Sequence, residues 1–104
     1  MFHLLETAVN IDSGSTDKAG VDRVGVVFRD FLQRAGIEIH VSPLADHGDC
    51  LMGTVPADGK GFEAPVLLLG HMDTVFPRDT VAQRPYRTDG RMAYGPGVAC
   101  HRPA

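Results

Sequence analysis

Apolar and polar positions alternate with two distinct periods along these 104 residues. Leu4, Leu5, Ala8 and Val9 repeat at helical spacing and predict a short amphipathic helix. Asp12-Ser13-Gly14-Ser15-Thr16 ends it in a loop. A longer helix is expected from Asp17, with Val21, Val24, Phe28, Phe31, Leu32 and Ala35 on one side and Arg23, Arg29, Asp30 and Arg34 on the other. Gly36 is placed to cap its C-terminus, while Gly20 and Gly25 weaken it by roughly 1 kcal/mol each relative to alanine. The period then changes to two: Ile37, Ile39 and Val41 alternate with Glu38 and His40, the pattern of a half-exposed strand. Asp46-His47-Gly48-Asp49 reads as a turn, Cys50 to Val55 as a second strand, and Pro56 to Gly61 as another turn.

Val66-Leu67-Leu68-Leu69 has no polar face, which predicts a central strand covered on both sides. Beyond it the chain is loop-rich, with a hairpin turn expected at Thr88-Asp89-Gly90-Arg91 leading into Met92-Ala93-Tyr94. The order helix, helix, strand, strand, strand suggests the first part of an α/β sheet. One substantial helix is too little to cover both faces of such a sheet. The isolated chain is therefore expected to be marginally stable and prone to aggregate.

Composition excludes several classes of function. The chain is 43% apolar and 22% charged, with 10 basic and 13 acidic residues well mixed and a net charge of -3. No basic stripe exists to follow a nucleic-acid backbone. The longest apolar run is too short to span a membrane. Met1-Phe2-His3-Leu4-Leu5-Glu6 lacks the basic-then-apolar layout of a signal peptide, which favours the cytoplasm. Cys50 and Cys100 form no C-x-x-C pair and are expected to be reduced thiols.

The candidate chemistry lies where the apolar run stops, at Gly70-His71-Met72-Asp73-Thr74-Val75. Successive side chains on extended backbone alternate, so His71 and Asp73 point the same way. A carboxylate beside an imidazole fixes its tautomer and raises its basicity, which suits a metal ligand at a strand end. Gly95-Pro96-Gly97 is a tight turn without the Lys-Ser/Thr of a phosphate-binding loop. Asp46, His47, Asp49 and Cys50 contain ligand-type residues, but their spacing fits no zinc pattern and a solvated turn is expected. His3 and His40 fall on polar surfaces. Ser13 and Ser15 have no base nearby in sequence, so a serine nucleophile is not favoured.

Three blocks stand in order: Val9-Asn10-Ile11-Asp12-Ser13-Gly14-Ser15, then Leu69-Gly70-His71-Met72-Asp73-Thr74-Val75-Phe76-Pro77, then Arg84-Pro85-Tyr86 through Tyr94-Gly95-Pro96-Gly97-Val98-Ala99. Together they resemble the zinc-dependent exopeptidase and deacylase family of glutamate carboxypeptidase, acetylornithine deacetylase and succinyl-diaminopimelate desuccinylase. The likeness is strongest to the glutamate carboxypeptidase branch. It implies an α/β, mixed-sheet catalytic domain of which residues 1–104 form the N-terminal part, without the inserted dimerisation domain. It also implies two zinc ions, a peptide or N-acyl amino acid substrate, and a parent enzyme that is commonly homodimeric. His71 matches a zinc-binding histidine, and Asp73 matches the catalytic-site acid that orients it. The two metals of the family activate a bridging water and polarise the scissile amide carbonyl.

The family pattern continues Asp-Met-Lys-Gly after Gly-x-Gly-Val-Ala, and that Asp bridges both zinc ions. Here Cys100 occupies the bridging position, followed by His101-Arg102-Pro103-Ala104. A frameshift, a gene disruption or an incomplete sequence is the expectation that this break raises. With most ligands of the family pattern absent, the chain is expected to bind zinc weakly at best and to be inactive by itself. The alternatives are a small non-catalytic module that binds a partner through a sheet edge, and a fragment of a related amino-acid deacylase.

Overall fold

Two helices and a hairpin account for most of the ordered packing. The computed structural model describes residues 2–55 and 66–98. The expected turn at Pro56 to Gly61 and the tail that holds Cys100 and His101 lie outside the described residues. The elements are α1 (Phe2–Val9), α2 (Lys18–Arg34), β1 (Glu38–Ser42), β2 (Cys50–Thr54), α3 (Thr80–Gln83), β3 (Arg87–Thr88) and β4 (Ala93–Tyr94). This is a small mixed assembly of helix and strand, in keeping with an α/β class.

α2 starts where the sequence provides a cap. Asp17 lies outside helical geometry and its carboxylate accepts the Gly20 amide at 3.1 Å, satisfying one of the donors a helix start leaves open. The helix ends at Gly36, whose φ of 83° lies in the left-handed region that glycine enters without a steric penalty. Between these ends only the N-terminal half of the apolar stripe is deeply covered: Val21 and Val24 are buried, as is Val9 of α1, while Phe31 is exposed. Gly20 has a packing reason to be there. A Cβ at that position would stand 2.0 Å from the Asp12 carbonyl oxygen, so only glycine lets the loop before α2 pass so close to the helix.

β1 and β2 pair antiparallel, Glu38 opposite Thr54 and Ser42 opposite Cys50. Ile39 and Val41 turn toward α2 and are half-buried, while Glu38, His40 and Ser42 face water, as the alternation in sequence predicts. On β2 only Leu51 is half-covered and Met52 is exposed, so the hairpin is covered on one face only. Around the intervening turn, Lys18 bonds Asp49 at 2.8 Å and Asp22 at 2.9 Å, and the Leu44 amide donates to Asp49 at 3.0 Å. The second hairpin, β3–β4, forms where the Asp89-Gly90 turn predicts it, with the Arg87 guanidinium 3.9 Å from the centre of the Tyr94 ring opposite.

Val66 to Leu69 departs from expectation. It forms no strand, and its side chains are exposed, Leu68 to 88% and Leu69 to 87%. A central strand needs neighbours to take its amides and layers to cover its faces. Among the described residues no strand runs beside this one. The loop that follows is also more structured than its composition suggests, because it contains the single helical turn α3.

Candidate functional site

The segment from Leu69 to Pro77 is held from below by α2 and from the side by the loop between α1 and α2. Met72 packs over Gly25 of α2, its terminal methyl 3.8 Å from where a Cβ would stand, an ordinary contact distance. From the side, the Thr74 amide donates to the Ser13 carbonyl at 2.7 Å and the Ser15 amide donates to the Thr74 carbonyl at 3.0 Å. These two bonds make a parallel bridge between Gly14 and Thr74. Gly14 permits it, since a Cβ there would lie 2.8 Å from the Phe76 carbonyl oxygen.

His71 and Asp73 are joined as the spacing predicts, although no strand carries them. His71 Nδ1 lies 3.2 Å from Asp73 Oδ1 and 2.9 Å from the Asp73 main-chain oxygen. Both neighbours are acceptors. Nδ1 therefore carries the proton in the neutral ring, and the lone pair sits on Nε2. The other carboxylate oxygen, Asp73 Oδ2, accepts the Ser15 hydroxyl in a short hydrogen bond. That bond, opposed by partial desolvation and helped by the nearby His71, holds the Asp73 carboxyl below its ordinary range.

Ser15 has a partner that its sequence neighbourhood does not show. Its hydroxyl meets a group 58 positions away, which sequence proximity cannot reveal. The order of contacts still argues against a nucleophile: the hydroxyl bonds the carboxylate, not the imidazole that would have to take its proton. The available signal was the Ser-Gly-Ser alternation, whose glycine allows a second backbone to come alongside.

These three side chains open on a cleft of about 780 Å³ with apolar walls from Leu5, Val9 and Phe28. A cleft with apolar walls and a few convergent polar groups is the usual form of a small-ligand site. Asp46, His47 and Asp49 lie elsewhere, in the turn that the sequence predicts, where the Asp49 carboxylate is engaged by Lys18 and the Leu44 amide, and Cys50 opens β2. Pro96 is buried and Gly97 borders the cleft, so the Gly95-Pro96-Gly97 turn contributes wall rather than ligands. For a metal ion the donor set is incomplete: the described residues hold no group of three or more His, Cys, Asp or Glu side chains in reach of one another. Cys100, the occupant of the bridging position, lies outside them. Among the described residues, no helix is long and apolar enough to cross a membrane.

No family model matches the chain. It is 36% identical over 97 residues to Carboxypeptidase G2 of Pseudomonas sp. (strain RS-16), an alignment that takes in 91% of this chain and 23% of that protein. The chain thus spans less than a quarter of the length of the curated relative it matches, and the likeness points to a carboxypeptidase-like origin.

Proposed function

We propose that this chain is the N-terminal part of the catalytic domain of a zinc-dependent metallopeptidase that hydrolyses a C-terminal amide bond in the manner of a glutamate carboxypeptidase. The observation that carries this reading is the His71–Asp73 pair, 3.2 Å apart at the border of an apolar-walled cleft, in a stretch that aligns with a carboxypeptidase. In it His71 gives Nε2 to one zinc ion, and Asp73 holds the ring and its tautomer through Nδ1. The metal supplies Lewis acidity toward the amide carbonyl. One imidazole with its orienting acid is a fraction of a co-catalytic centre. The 104-residue chain alone therefore holds zinc weakly and does not turn over substrate.

Zinc titration of the chain and of H71A, paired with an amide-hydrolysis assay on a peptide ending in glutamate, tests both parts. Weak zinc binding that disappears in H71A, without turnover, is expected. Binding that is indifferent to H71A would remove His71 from the metal site. Zinc-dependent hydrolysis by this chain would overturn its inactivity.

The exposure of Val66 to Leu69 favours a second reading, a non-catalytic module that pairs this segment with a partner polypeptide. A stable stoichiometric complex formed by a chain in which H71A changes nothing would select it. A related deacylase remains the variant of the first reading in which an N-acyl amino acid replaces the peptide.

A further inference from the structure

We propose that Ser15 is a positioning residue: its hydroxyl divides the Asp73 carboxylate into one oxygen held by Ser15 and one oxygen turned to His71 Nδ1. The inference rests on the reading of His71 as a metal ligand only for its consequence, not for its geometry. A carboxylate on an exposed side chain rotates about its last bond at little cost. Here one oxygen is fixed. The backbone of Ser15 is anchored by the Ser15 amide to Thr74 carbonyl bond at 3.0 Å, which sets where its hydroxyl is presented to the carboxylate. The Thr74 carbonyl at 3.2 Å is a second, longer acceptor for the same hydroxyl proton. With Oδ2 taken, Oδ1 faces the imidazole N–H. Without the serine hydroxyl, that N–H keeps the Asp73 main-chain oxygen at 2.9 Å but loses a fixed carboxylate partner. Ser15 and Asp73 flank the Gly14–Thr74 bridge, which is why a residue 58 positions distant can do this.

The test reads the His71 Nδ1–H proton by NMR on the whole chain, at low temperature and without metal, in wild type, S15A, S15C, S15T and D73N. Wild type and S15T are expected to show a downfield, exchange-protected proton. S15A, D73N and S15C, in which a weak thiol donor replaces the hydroxyl, are expected to move it upfield and broaden it. An S15A or S15C proton matching wild type would overturn the assignment, as would a D73N proton matching wild type or an S15T that fails to restore the signal. S15C nearly preserves volume, so the test survives if S15A does not fold. Adding zinc to wild type addresses the other reading separately: an unmoved His71 Nε2 resonance would sink the metal-ligand role and leave the Ser15 result standing.

Discussion

Asp12 accepts the main-chain amide of Val81 at 3.0 Å, across 69 positions of sequence. Its second oxygen accepts the Asp79 amide at 2.9 Å. One carboxylate thus holds the amide of the N-cap residue and that of the second residue of α3, where a helix start leaves donors without partners and favours negative charge. Asp79 itself cannot cap that turn, because it sits at a φ of 71° and makes no side-chain cap bond. The Asp12 contact fixes the end of the loop whose beginning carries His71 and Asp73. D12A is expected to destabilise the fold by about 1–3 kcal/mol, the cost of leaving such donors without a charged acceptor, and D12N by less. Urea denaturation of the two variants beside wild type checks the order.

Tyr86 presents the opposite situation. Its amide donates to Asn10 Oδ1 at 2.8 Å, but its phenolic oxygen is buried without a hydrogen-bond partner among the described residues. A buried polar atom with no partner carries its desolvation cost uncompensated. Y86F removes that atom and keeps the ring. It is expected to raise stability by up to about 1 kcal/mol, read as a higher urea midpoint at unchanged slope. A lower midpoint would show that the hydroxyl is satisfied in solution.

Acid should weaken this chain through three carboxylates. The Arg78 guanidinium, and then the Gly20 amide, hold Asp17 below its ordinary range. Lys18, and then the Leu44 amide, do the same for Asp49, and the Ser15 hydroxyl does so for Asp73. A carboxyl depressed in the folded state binds fewer protons there than in the unfolded chain. Its contribution is present above the unfolded value of about 4 and is lost as pH falls through the lower folded value. Lys18 is raised by Asp49 and Asp22, so its contribution is complete at neutral pH and is lost only as pH rises beyond the ordinary lysine range. Stability is therefore expected to be flat from neutral pH into the mildly alkaline range and to fall steadily on the acid side. R78A and K18A should each shallow that acid limb, because Asp17 and Asp49 then return toward ordinary values. Urea midpoints measured at steps of pH in wild type and both variants decide it, and an acid limb unchanged by either substitution would contradict the assignment.

The elements that could be read from the sequence are those whose causes are local. α2 shows in a stripe at three and four, its start in Asp17 and its stop in Gly36, all within one stretch. β1 shows in the alternation of Ile39 and Val41, and the second hairpin in Asp89-Gly90. The parts that escaped have causes far away in the chain. Four residues of α3 are too few to display a period, and the acid that caps them is Asp12. The His71–Asp73 pair was visible because both members lie in one short motif, whereas Ser15, which completes it, sits in another. Val66 to Leu69 failed for a different reason. An apolar run states what a segment would do when covered, and covering depends on partners that the run itself does not encode.

That failure has a measurable consequence at Leu68, which is 88% exposed. Were it the middle of a covered strand, replacing it with a charged residue would empty and then charge the core, at a cost beyond the roughly 2–5 kcal/mol of simple truncation. Exposed as it is, L68K should change folding stability by no more than about 0.5 kcal/mol. Its effect should appear instead in association. Four consecutive uncharged apolar residues whose backbone makes no hydrogen bond among the described residues offer a template for pairing with another chain, and a lysine is the usual means of blocking such an edge. L68K is therefore expected to remain monomeric at concentrations where wild type self-associates, as followed by sedimentation velocity, with an unchanged urea midpoint. A midpoint lowered by several kcal/mol in equivalent free energy would mean that Leu68 is covered in solution. An association profile identical to that of wild type would mean that this segment is not where the copies meet.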